Sequence, residues 1–81
     1  MKRFIAFRGL CIWPVSESRT THYAEVCNQN GETVRDVIES PTFTESEDAI
    51  TEARAWIDGV LPAGGQAPRS WRQTKPQAAR S

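Results

Sequence analysis

The stretch Thr44-Glu45-Ser46-Glu47-Asp48-Ala49-Ile50-Thr51-Glu52-Ala53-Arg54-Ala55-Trp56-Ile57-Asp58-Gly59-Val60-Leu61 decides the fold. At 100° per residue, Ala49, Ile50, Ala53, Trp56, Ile57, Val60 and Leu61 fall within an arc of about 140°, with no charge inside it. Such a helix has one face to bury. Thr44 or Ser46 is the expected cap, because Thr44-Glu45-Ser46-Glu47 has the spacing of a capping box, and Glu45, Glu47 and Asp48 suit the positive end of the helix dipole. Gly59 and Pro62 mark its end.

Upstream of the helix, the pattern is that of a sheet. Residues 3–15 read as one strand, or as two segments joined at Gly9. The run Leu10-Cys11-Ile12-Trp13 is apolar on both faces, which suits a central strand. Pro14 has no backbone donor, so the strand ends or lies at an edge there. Residues 22–28 and 32–38 read as a hairpin about Asn30-Gly31, a pair that tolerates the positive φ of a tight turn. A two-residue turn sets Tyr23, Cys27, Val34 and Ile38 on one face. It also sets Glu25 against Asp36, an unfavourable pair that leaves a longer loop as the alternative. Ser40-Pro41 breaks the last strand. The expected fold is α+β: a three-stranded antiparallel sheet packed on one C-terminal amphipathic helix (β-β-β-α), then a disordered tail.

The chain has 81 residues, enough for one small domain, and 38% of them are hydrophobic. We place the domain at 1–62 and a flexible basic tail at 63–81. The zero net charge is a sum of unlike parts: residues 1–61 carry −4, and residues 62–81, with Arg69, Arg72, Lys75 and Arg80 and no acid, carry +4. No apolar run is long enough to span a membrane. After Lys2 and Arg3 the apolar run Phe4 to Phe7 is too short for a secretory signal. A cytoplasmic location is expected, with Cys11 and Cys27 as two ordinary buried thiols whose spacing depends on whether their strands are neighbours.

No catalytic constellation emerges. His22 is the single base available to Cys11 or Cys27, and in the two-residue register it lies on the opposite face of its strand from Cys27. Cys11, His22 and Cys27 lack the paired spacing of a metal site. Gly64-Gly65 follows a helix and has no Lys-Ser/Thr after it, so it is no phosphate loop. Arg3, Arg8, Arg19 and Arg35 are interleaved with Glu17, Glu25, Glu32 and Asp36, the pattern of a solvated mixed face. The expectation is a non-enzyme without metal or cofactor.

Two features suggest binding. A three-stranded sheet with one helix leaves its second face bare, and Trp13 is the expected aromatic there; such a face favours a protein partner or a homodimer. The segment Arg69-Ser70-Trp71-Arg72-Gln73-Thr74-Lys75 joins tryptophan to arginine, types enriched in binding hot spots and also able to stack on bases and meet phosphates. The candidate contact residues are Trp71, Arg69, Arg72, Lys75 and Trp13. The expected function is a protein-binding module of the inhibitor, antitoxin or adaptor type; the alternative is RNA or DNA binding through the basic tail.

The order of strands followed by Ser40-Pro41-Thr42-Phe43-Thr44-Glu45-Ser46-Glu47-Asp48-Ala49, with Ala53, Ala55, Trp56 and Ile57, resembles the HicB-like domain of toxin–antitoxin antitoxins over about 45 residues. The resemblance implies the sheet-and-helix fold and an antitoxin type of role. The family's glycine-and-proline loop before the helix is absent, and so is the DNA-binding module after the domain. It therefore implies no operator binding and transfers no functional residue.

Overall fold

A computed structural model describes residues 3–72. Four strands, not three, form an antiparallel meander in the order β1 (Ile5–Phe7), β2 (Leu10–Ser18), β3 (Thr21–Cys27), β4 (Thr33–Arg35). A single 3₁₀ turn (Val37–Glu39) and the helix α1 (Ser46–Val60) follow. The extra strand comes from Arg8-Gly9. Both residues have positive φ, 52° and 87°, as a two-residue hairpin turn requires, so the two segments joined at Gly9 are separate strands that pair with each other. Gly9 is further constrained by packing: a Cβ there would stand 2.8 Å from the backbone nitrogen of Ala67.

Pro14 does not end β2. It pairs with Ala24 inside the strand. β1 covers β2 only as far as Ile12, so beyond that point β2 is an edge. His22 exchanges both backbone bonds with Phe43 at 2.8 Å, on the side away from β2. Alternation along β3 then turns Ala24 away from β2 as well, and the missing donor of Pro14 falls at a pair that exchanges no ladder bonds.

Leu10 and Ile12 of β2, Ala24 and Val26 of β3, and Ala49, Ala53 and Ile57 of α1 form the buried core. The predicted arc is the packed face of the helix. The cap differs: α1 starts after Glu45, which is extended and makes no side-chain capping bond. Phe43 is tied to His22, so the chain enters the helix from a strand-like bridge. The Asp48 amide bonds the Glu45 carbonyl at 3.1 Å instead of a side chain.

The β3–β4 register also differs. The connection is a three-residue loop in which the Gly31 amide bonds the Asn28 carbonyl and the Asn28 amide bonds the Glu32 carbonyl, with Gly31 at φ 87°. Cys27 therefore faces Thr33 rather than Val34, and Val26 faces Arg35. The shift is local: a bulge between the two pairs leaves Val26 opposite Arg35, as the two-residue turn also has it, and only Thr33 takes the place of Val34 beside Cys27. Arg35, not an apolar residue, enters the core side, and Ile38 is 82% exposed.

The chain beyond Pro62 was expected to be tail, but its described part packs on the domain. Ala67 is buried, and Trp71 lies against the core. Arg8 accounts for much of this. Its Nε donates to the Gly65 carbonyl at 2.9 Å and its Nη1 to Asp58 at 2.8 Å. Its Nη2 donates to the Pro62 carbonyl, and its own carbonyl accepts from the Ala67 amide at 2.8 Å. These bonds offset the cost of about 1–2 kcal/mol for a non-glycine residue in the left-handed region.

Candidate functional site

The side of the sheet away from α1 carries Ala6, Cys11, Trp13, Val15, Tyr23, Glu25, Cys27 and Thr33, because side chains alternate along each strand. No described element packs on it. Phe4, 48% exposed, extends this surface and meets Trp13 with ring centroids 5.0 Å apart at 44°. Trp13 lies opposite Glu25, Val15 opposite Tyr23, and Cys11 opposite Cys27.

Two shallow depressions share this face. One, of about 520 Å³, is lined by Arg3, Trp13, Val15, Glu25, Cys27 and Thr33 among others. The second, of about 410 Å³, is lined by Phe4, Ala6, Cys11 and Gln29 among others. The Phe4–Trp13 contact and the Cys11–Cys27 pair each contribute one residue to either depression. Glu25 accepts a hydrogen bond from the Thr33 hydroxyl and has no ion-pair partner among the described residues. Burial pushes the Cys11 thiol above its ordinary value; burial and then the Glu25 charge push up Cys27. Thiols so held are mostly protonated at neutral pH, which slows their attack without abolishing it.

The other expected contact residues lie elsewhere. Trp71 meets Trp56 edge to face, with centroids 6.5 Å apart. Its carbonyl accepts from Asn28 Nδ2 at 3.0 Å. Arg72 stands 3.7 Å from Glu32, Arg69 is exposed, and Lys75 lies outside the described residues. The arginines of the strands do not form one patch. Arg35 is buried against Glu52 at 2.7 Å and over the Trp56 ring at 5.2 Å, and Arg8 is spent on the clasp described above. His22 bonds Ser16 and the Arg19 carbonyl rather than either thiol.

No family model, curated protein or solved structure matches the chain. Among the described residues, no helix is long and apolar enough to cross a membrane.

What the arrangement offers chemically is an aromatic surface carrying the Glu25 carboxylate, which makes no ion pair among the described residues although Arg3 lines the same depression. Indole faces attract cations, and a carboxylate gives a guanidinium a directed pair of acceptors. Sequence reasoning placed Trp13 on the bare face but missed Glu25. The signal was present: Glu25 is two residues from both Tyr23 and Cys27, so all three share a face of one strand.

Proposed function

We propose that the chain is a protein-binding module and that it docks through the open sheet face, on a partner segment presenting an arginine or lysine within an apolar surface. The observation that carries this is the opposition of Trp13 and Glu25 across β2 and β3. Apolar neighbours Val15, Tyr23 and Phe4 extend the contact surface around that pair. Charge complementarity selects the partner: Glu25 gains a counter-ion on binding, and the cation stacks on indole rather than remaining in water.

Docking by strand addition is less well supported. β1 and β4 have three residues each, and Pro14 interrupts the free edge of β2. Short edges and edge prolines resist pairing with another chain. The contact is face-on, without catalysis, in keeping with an inhibitor or adaptor role.

The test is capture from cell extract with nuclease present, comparing wild type with Trp13→Ser, Glu25→Gln and the triple variant Arg69→Gln/Arg72→Gln/Lys75→Gln. A protein held by wild type and the triple variant, but lost with Trp13→Ser and weakened by Glu25→Gln, supports the sheet face. Loss with the triple variant alone assigns binding to the C-terminal segment, and loss on nuclease treatment assigns it to nucleic acid. Either outcome overturns the proposal.

A further inference from the structure

Cys11 and Cys27 are both free thiols and are direct partners in the β2–β3 register. Which kind of pair they form follows from the ladder. His22 exchanges its backbone bonds with Phe43 and not with Ser16. Counting back through Val15–Tyr23, Pro14–Ala24, Trp13–Glu25 and Ile12–Val26, the pairs alternate, and Cys11–Cys27 falls at a hydrogen-bonded position. Its Cα atoms are then about 5.5 Å apart, inside the range that a disulfide spans. Both side chains leave the same face of the sheet.

We infer that Cys11 and Cys27 form a reversible cross-strand disulfide on the open sheet face, by exchange with a small-molecule disulfide such as oxidised glutathione. Cys11 is the half-buried member and Cys27 the buried one, so Cys11 reacts first. Its thiolate attacks one sulfur of the reagent, forming a mixed disulfide and expelling one thiolate, which takes up a proton. The Cys27 thiolate then attacks the Cys11 sulfur and expels the second thiol. The protein loses two hydrogens and two electrons, and the reagent is reduced to two thiols.

Reversibility has a geometric source. At a hydrogen-bonded position the Cβ atoms stand near the wide end of about 4.5–5.5 Å, and a disulfide needs about 3.5–4.5 Å. Closure draws β2 toward β3 and stores strain, and strained disulfides are the more easily reduced ones. The gain on the other side is the constraint placed on the unfolded chain, which loses loop entropy when the two positions are joined. The bond would lie between the two depressions and next to Trp13 and Glu25. The inference itself does not depend on what docks there.

The test equilibrates the full chain with mixtures of reduced and oxidised glutathione, natively and in concentrated urea, then quenches with an alkylating agent. Intact mass and tryptic mapping read the outcome. Cleavage after Arg8, Arg19 and Arg35 puts the cysteines on peptides 9–19 and 20–35, so an internal bond joins these two within a monomer. The expected result is a monomer lighter by two hydrogens, reopened by excess reduced glutathione. Its equilibrium constant for closure should be at least about tenfold higher natively than in urea, because the fold presents the thiols together. Two alkylated thiols at every ratio, mixed disulfides alone, links only between chains, or a native constant at or below the urea value would each overturn the inference.

Discussion

Asn28 Nδ2 donates to the carbonyl oxygen of Trp71 at 3.0 Å across 43 positions of sequence. The same amide group donates to Glu32 at 2.9 Å. Its oxygen accepts from the Asn30 amide at 2.9 Å and the Glu32 amide at 3.0 Å. Asn28 is 1% exposed, so its hydrogen-bonding groups are answered inside the protein. One side chain therefore shapes the β3–β4 loop and holds the C-terminal segment. Asn28→Ala removes four hydrogen bonds to part-buried groups and is expected to cost about 2 kcal/mol. Urea unfolding measures the loss, and hydrogen exchange at Glu32 and Trp71 localises it.

Arg8 holds the same segment from its other end. Arg8→Ala removes three side-chain bonds and leaves a residue without compensation in the left-handed region. The expected loss is about 1–2 kcal/mol, kept modest because Asp58 is more than half exposed and the ion pair is screened. Arg8→Gly relieves the backbone cost and should recover part of that loss. Thermal unfolding of the three proteins side by side checks the order wild type, glycine, alanine.

The helix and the open face were legible because periodicity carries them. The 3.6-residue spacing of Ala49, Ala53 and Ile57 survives any detail of the caps, and Trp13 alternates with buried Ile12. The packing of residues 63–72 was not legible, since Arg8 and Asn28 hold it through backbone carbonyls of Pro62, Gly65 and Trp71, and every residue has a carbonyl. Ala67 and Trp71, apolar positions in a polar stretch, were the signal available. Arg35 was missed for a different reason. The two-residue register already set Arg35 opposite Val26, but its buried pairing with Glu52 and Trp56 joins β4 to the helix, a tertiary contact that strand alternation does not carry.

Arg35 gives a third prediction. Its Nε and Nη1 are buried with no partner among the described residues, while Nη2 pairs with Glu52. Removing the acid leaves the cation uncompensated, whereas replacing the cation by an apolar chain of similar length removes the desolvation cost along with the pair. Glu52→Ala should therefore lose about 2 kcal/mol or more, and Arg35→Met about 1 kcal/mol or less. The contact with the Trp56 ring is replaced by thioether packing in the methionine variant. Denaturant midpoints of the two variants test the asymmetry.

The thiols set an alkaline limit. Burial raises the pKa of Cys11, and burial with Glu25 raises that of Cys27, above an ordinary value of 9.0. Below that value both states keep the proton, and stability does not depend on it. As pH rises beyond it, the unfolded chain gives up protons that the folded chain retains. Stability then falls until the raised folded values are passed. Cys11→Ala/Cys27→Ala should flatten this alkaline decline, measured by urea unfolding from neutral pH upward. Glu25→Gln removes one cause at Cys27 and should speed its alkylation at fixed pH.

The most direct measurement is a two-dimensional amide and indole NMR titration with N-acetyl-Leu-Arg-Leu-amide, alongside the same peptide with glutamine in place of arginine. The account predicts saturable shifts at about millimolar peptide, centred on the Trp13 indole NH and the amides of Val15, Glu25 and Tyr23. They should be at least about threefold weaker with the glutamine peptide and with Glu25→Gln. Shifts that centre on Arg69–Arg72, that ignore the arginine, or that leave the Trp13 indole unmoved would contradict it.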